Sequence, residues 1–200
     1  MKIAIIDYGS GNVGSVKNAL NYLGVQSILT SDKNEIKTAD KIILPGQGRF
    51  GDVMNKLKQK GLDRILIQEI KNGKPYLGIC IGLQILFDKS EEDPGVKGLG
   101  IINGEVKKFQ TNLKVPQIGW NQVEQKKESI LFNEINNKDY YFVHSYYVEL
   151  IHKSVILAQT GYGIEFVSAI EINNLFAVQF HPEKSGKIGL QLLKNFCEVI

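Results

Sequence analysis

Cysteine is scarce in this chain, with only Cys80 and Cys197 in 200 residues. Two cysteines cannot make a disulfide framework, and no CxxC pair occurs. Histidine is scarcer than usual chemistry would like: His144, His152 and His181 are the whole supply. No apolar stretch approaches the roughly 18 residues of a membrane span. The start, Met1 to Asp7, has too short an apolar run for a signal peptide and lacks a cleavage region. Blocks of like charge are missing as well. The net charge of +3 comes from scattered lysines, so neither nucleic acid nor a membrane surface is expected as a partner. These absences lead us to expect a reduced cytoplasmic enzyme without metal or cofactor. What is present suffices for an ordinary core, at 43% hydrophobic residues. No linker, repeat or low-complexity segment interrupts it, so residues 1–200 read as a single domain.

The first half alternates strand and helix patterns. Lys2 to Asp7 is an apolar run ending in a Gly-rich turn. Asn12 to Leu23 has helical spacing at Val13, Val16, Ala19, Leu20 and Leu23, with Asn12 as N-cap and Gly24 as stop. Further strands are expected at Val25 to Leu29, Lys41 to Leu44 and Pro75 to Cys80. Helices are expected at Asp52 to Lys60, Leu62 to Lys71 and, briefly, Gly82 to Phe87. In the second half, strand candidates follow one another: Ile101 to Phe109, Gln117 to Glu124, Tyr140 to Val148, Val155 to Gln159, Ser168 to Ile172 and Leu175 to Phe180. A helix closes the chain from Ile188 to Cys197. This order predicts an α/β fold with a central mixed sheet, mostly parallel and flanked by helices, with antiparallel additions in the second half.

Four patterns bear on chemistry. Gly9-Ser10-Gly11-Asn12-Val13-Gly14 matches the dinucleotide fingerprint, and Asp32 lies where a ribose-binding acid would sit. The plainer reading is a tight turn between strand and helix whose glycines take positive φ. Gly78-Ile79-Cys80-Ile81-Gly82 is stronger. A cysteine between two glycines at a strand-to-helix junction is the thiol version of a nucleophile elbow. The turn lifts Cys80 above the sheet edge, aims the Ile81 N–H at an incoming carbonyl, and offers a helix dipole to a thiolate. Phe180-His181-Pro182-Glu183 supplies an imidazole at a strand end and a carboxylate able to curl back and orient it. His144, in an aromatic strand, suits a hydrogen-bonded pocket wall, and His152 a solvent-exposed turn. Leu44-Pro45-Gly46-Gln47-Gly48 is a turn able to present backbone N–H groups to an oxyanion beside Ile81.

Together these motifs resemble the class I, triad-type glutamine amidotransferase family, whose fold is flavodoxin-like. The resemblance runs along the chain. It includes Asp7-Tyr8-Gly9-Ser10-Gly11-Asn12, the 44–48 turn with Phe50-Gly51-Asp52, Leu77 to Gln84, Ser90-Glu91-Glu92 and Gly98-Leu99-Gly100. It continues through Ile118-Gly119-Trp120-Asn121, Tyr141 to Tyr146 and Gln179 to Gly186. The resemblance implies that Cys80 is the nucleophile, His181 the acid and base, and Glu183 its orienter. It assigns Gly46, Gly48, Gln84, Glu92, Ser145 and Tyr146 to holding L-glutamine. The Tyr-Gly-x-Gly-Asn, Gly-Trp-Asn and Phe-Val-His-Ser-Tyr stretches resemble the branch that forms a heterodimer with a (β/α)8-barrel cyclase of histidine biosynthesis. Asn12, Trp120, Tyr141 and Lys184 match positions at or near that interface. Gln47, Ile81 and Gln117 depart from the commonest pattern, where valine, leucine and histidine are usual. Gln47 leaves open a paralogue that feeds ammonia to another synthase, such as one amidating a sugar.

Overall fold

The computed structural model describes residues 1–9 and 13–199. Its main sheet runs in the order β2 (Ser27–Thr30), β1 (Ile3–Ile6), β3 (Lys41–Leu44), β4 (Tyr76–Ile79), β13 (Leu175–Val178), β12 (Glu165–Ile172), β10 (Tyr146–Leu150), β6 (Ile102–Lys108), β5 (Phe87–Ser90). The first five are mutually parallel. β12, β10 and β6 add antiparallel, and β11 (Ile156–Gly161) and β8 (Glu124–Gln125) branch from β12. The expected mixed sheet with a parallel core is what forms.

The parallel strands are apolar throughout because both faces are covered. In β1, Ala4 and Ile6 face one core while Ile3 and Ile5 face the other, all with no solvent exposure. On the first face lie α2 (Lys33–Thr38), α3 (Phe50–Lys60) and α4 (Leu62–Lys71), packing Ile36, Met54, Leu57 and Leu66. On the second lie α1 (Val13–Tyr22) and α6 (Gly186–Val199), packing Val16, Leu20, Leu192 and Phe196. Gly24 ends α1 with φ +71°, as a left-handed stop should. The Asn12 cap lies outside the described residues.

Four expectations change. The strand expected over Tyr140 to Val148 breaks at Ser145. β9 (Asp139–His144) pairs with β7 (Gln117–Gln122) in a separate two-stranded ribbon, while β10 joins the main sheet. The break is held by Phe109 N–H on the Ser145 carbonyl, 3.1 Å, and by the His144 ring on the Tyr146 carbonyl, 2.8 Å. The strand expected over Gln117 to Glu124 divides at Val123 into β7 and β8. The helix expected to reach Phe87 is only α5 (Ile81–Gln84), because Phe87 already opens β5 beside β6. Finally, α2 forms where the sequence pattern predicts no helix. Asp32 caps it, its Oδ1 accepting the N–H groups of Asn34 (2.7 Å) and Glu35 (3.0 Å).

The elbow glycines are fixed by sterics. A Cβ on Gly82 would overlap the Leu44 carbonyl at the end of β3, and one on Gly78 would overlap the Gly82 carbonyl. Gly82→Ala should cost about 2 kcal/mol or more, since backbone and not a flexible side chain must yield. Gly14→Ala, in α1 with open space around it, should stay within about 1 kcal/mol and on the stabilising side. Denaturant midpoints of both variants measure this; equal effects would refute the close-approach argument.

Candidate active site

Three neighbouring parallel strands, β3, β4 and β13, end at the same sheet edge, where α/β sheets keep their ligands. β3 leads into the Gly46–Gly48 turn, β4 into Cys80, and β13 into Gln179, Phe180 and His181. Cys80 has φ +54° and ψ −103°, a strained conformation for a side-chain-bearing residue that costs about 1–3 kcal/mol. Neighbouring bonds hold it there. Cys80 N–H donates to the Val178 carbonyl (2.8 Å), and its own carbonyl accepts from Leu83 N–H (3.0 Å). Tyr76 donates its hydroxyl to the Gly82 carbonyl at 2.8 Å, closing the turn from below.

His181 N–H bonds the Tyr141 carbonyl of β9 at 2.9 Å, and Ser185 Oγ ties the two segments by donating to the His181 carbonyl and accepting from Tyr141 N–H. The ring's Nδ1 donates to Glu183 Oε1 at 2.8 Å, with side-chain exposures of 1% and 3%. Its Nε2 has no hydrogen-bond partner among the described residues. Burial opposes a charge on this imidazole. The charge of the Cys80 sulfur and then Glu183 outweigh burial and push its pKa up to about 10. The arrangement can therefore hold a proton between sulfur and imidazole, with a carboxylate fixing the ring.

A cavity of about 300 Å³ opens in front of Cys80, at the small end for ligand pockets. Gln47, Gly48, Ile81, Gln84, Glu92, Ser145 and Tyr146 line it with Cys80, as do Pro116, Val143 and His144. Gly46 sits deeper, with φ +153°, and a Cβ there would overlap the Tyr8 hydroxyl. His181 and Glu183 do not line it. Glu92 also supports the fold. Its Oε2 accepts Phe50 N–H at 2.8 Å while Asp93 accepts Gly51 N–H, so the pair caps α3. Burial raises the Glu92 pKa, against that bond. Arg49 pairs with Asp93 at 2.7 Å and completes the cap.

His144 is a neutral pocket wall. Burial pushes its pKa down to about 4, although its Nδ1 donates to the Tyr146 carbonyl. His152 is exposed. The dinucleotide reading loses its acid, since Asp32 is spent capping α2. The crevice between β1 and β3, where the strand order reverses, is filled by fully buried Tyr8 against Gly46. Two polar side chains behind the site carry no role in the sequence reading: Tyr8, whose buried hydroxyl has no partner among the described residues, and Gln179, whose amide lies 3.5 Å from Cys80 Sγ. Gln179 has a signal, being two residues before His181 along an extended segment.

Trp120 and Tyr141 face each other across the β7–β9 ribbon, their rings 6.3 Å apart, with Lys184 Nζ 5.9 Å from the Tyr141 ring. Trp120 and Ile118 are each 59% exposed, an apolar outer face on the same ribbon whose Val143 lines the cavity. Asn12 lies outside the described residues.

The family model described as glutamine amidotransferase class-I matches residues 4–200. The chain belongs to this family. Among relatives of this amidotransferase, the imidazole glycerol phosphate synthase subunit HisH of Methanothermobacter thermautotrophicus is 48% identical over 198 residues, 99% of this chain and 98% of the relative. The protein of the same description from Pyrococcus furiosus is 51% identical over 197 residues, covering 98% and 97%. Among solved structures, PurLQS from Thermotoga maritima superposes with a TM-score of 0.76 at 18% identity, covering 98% of this chain and 96% of that one. That likeness speaks to the fold.

Free histidine titrates near 6.5, whereas His181 in the fold titrates at about 10. Between these values the folded chain keeps a proton that the unfolded chain has released. Stability from this group is full below about 6.5 and is lost as pH rises through about 10. Glu183→Gln removes a charge that retains the proton, so the contribution should be smaller and its loss complete at lower pH. Thermal midpoints of both proteins from pH 7 to 10 test this, and parallel curves would refute it.

Proposed function

We propose that this chain is the glutaminase subunit of an imidazole glycerol phosphate synthase. It is read as one unit over residues 1–200 that hydrolyses L-glutamine to glutamate and ammonia. The observation that carries the chemistry is the buried His181–Glu183 pair near Cys80, whose remaining ring nitrogen has no hydrogen-bond partner among the described residues. The pathway reading rests on relatives described as imidazole glycerol phosphate synthase subunit HisH that are 48–51% identical along nearly their whole length.

In this reading the Cys80 thiolate attacks the side-chain amide carbon of glutamine, and the carbonyl electrons move onto oxygen. Backbone N–H groups of the Gly46–Gly48 turn and of Ile81 hold that oxyanion; one such donor is worth about 3 kcal/mol of barrier. His181 Nε2 delivers its proton to the departing nitrogen, and ammonia leaves a glutamyl thioester. His181, now neutral, takes a proton from water, whose oxygen attacks the thioester and releases glutamate and the thiolate. Glu183 holds the ring through both proton transfers. Gln84, Glu92, Ser145 and Tyr146 hold the amino-acid end of the substrate in the cavity.

Ammonia in water is mostly ammonium, which is no nucleophile, so delivery through a closed interface serves the acceptor reaction. The partner is read as a (β/α)8-barrel cyclase in a heterodimer. The exposed ribbon face with Trp120, Tyr141 and Lys184 suits its docking surface, being apolar and aromatic with a basic rim. Both cysteines are free and buried, which agrees with a reducing cytoplasm. No helix among the described residues is long and apolar enough to cross a membrane.

Cys80→Ala should abolish glutamine-dependent product formation by the reconstituted complex, by about 10³-fold or more, while added ammonium salt still sustains it. Assays with the barrel cyclase and with a sugar-amidating synthase identify the acceptor. Retained glutamine turnover in the variant would overturn the mechanism, and stimulation by the second partner alone would overturn the pathway.

A further inference from the structure

Behind the nucleophile a chain of polar groups runs from a backbone carbonyl to the sulfur. Gln84 Nε2 lies 3.1 Å from the Tyr146 carbonyl and 3.1 Å from Gln179 Oε1, and Gln179 Nε2 lies 3.5 Å from Cys80 Sγ. Amide nitrogen and oxygen look alike in outline, so their orientation must follow from hydrogen bonding. Here it follows from one end. The Tyr146 carbonyl has no hydrogen and can only accept. Gln84 must therefore turn its NH2 group that way, and the same nitrogen also faces Gln179. A group with two hydrogens supplies both bonds, so Gln179 must present oxygen to Gln84. Only its NH2 then remains for the sulfur. Reversing either amide would set two acceptors or two donors against each other where water is excluded, since Gln84 is 5% exposed and Gln179 not at all.

The backbone adds to this. Gln179 N–H bonds the Ser168 carbonyl at 2.9 Å, which anchors the residue to β12. Two residues on, the same segment carries His181. Sulfur is a weak acceptor as a thiol and a good one as a thiolate, where hydrogen bonds to charge are roughly twice as strong. The donor thus favours one protonation state and fixes where the sulfur points.

We propose that Gln179 is a positioning residue for the Cys80 thiolate, its N–H aimed at the sulfur by a one-way hydrogen-bond relay through Gln84 from the Tyr146 carbonyl. Its bearing on turnover rests on the glutaminase reading above, but its effect on the sulfur does not.

The test is the pH dependence of Cys80 alkylation by iodoacetamide, read by mass spectrometry, with Cys80→Ala correcting for Cys197. Gln179→Met keeps the length and removes the donor. We expect its alkylation at neutral pH to fall about tenfold, with the profile displaced to higher pH and the KM for glutamine in the complex unchanged. Gln84→Met frees the Gln179 amide to turn and should move the profile the same way by a smaller amount; it serves as the readout if Gln179→Met does not fold. A folded Gln179→Met whose alkylation profile overlays the wild type would overturn the proposal. So would a Gln84→Met profile that does not move. Should wild type alkylate as expected yet fail to turn over glutamine with any partner, the glutaminase reading falls and the relay stands.

Discussion

The pairing of β4 with β3 on one side and β13 on the other is the constraint on which the site depends. Leu44 lies opposite Gly78, and Val178 opposite Ile79. Through that register the three strand ends deliver a glycine turn, a sulfur and an imidazole to one edge. A shift of one residue in either ladder would send alternate side chains to the other face. The register is well specified because both faces are apolar and buried, and because the elbow glycines allow backbone contact with β3 that no larger residue permits.

That scaffold sustains local costs. Cys80 keeps an unfavourable backbone conformation, and His181 and Glu183 give up nearly all hydration. Among the described residues, the carboxylate's second oxygen and the Tyr8 hydroxyl have no partners. Buried charges of this kind weaken a fold unless geometry is good, and here the segments that carry them are tied down by backbone bonds: Cys80 to Val178, His181 to Tyr141, and Ser185 to both His181 and Tyr141. The ribbon proposed to meet a partner is thus bonded directly to the residue that carries the imidazole.

Much of this was legible because the local signals have steric causes. Glycines on both sides of Cys80, and His-Pro-Glu after an apolar strand, mark turns that few other residues can make. The break at Ser145 was hidden because alternation continues through it. Tyr140, Phe142, His144 and Val148 all sit at even positions and are buried, yet Phe142 and Val148 face opposite cores. α2 has one buried apolar residue, Ile36, and β5 only Phe87, too few to set a period. Asp32 was ambiguous because an acid after a strand serves a ribose or a helix N-terminus equally well. Tyr8 was silent because its surroundings are assembled from distant segments, and Gln179 offered only its spacing from His181.

Gln179 and Cys80 touch although 99 residues separate them along the chain. During synthesis β4 emerges long before β13, so the growing polypeptide carries an inner strand paired on one side only, and Cys80 without His181, until the last stretch is made. Such non-local pairing is slow and leaves edges open to aggregation. It also means that a fragment that stops short of β13 lacks both His181 and Glu183, so the whole arrangement around Cys80 waits for the end of the chain.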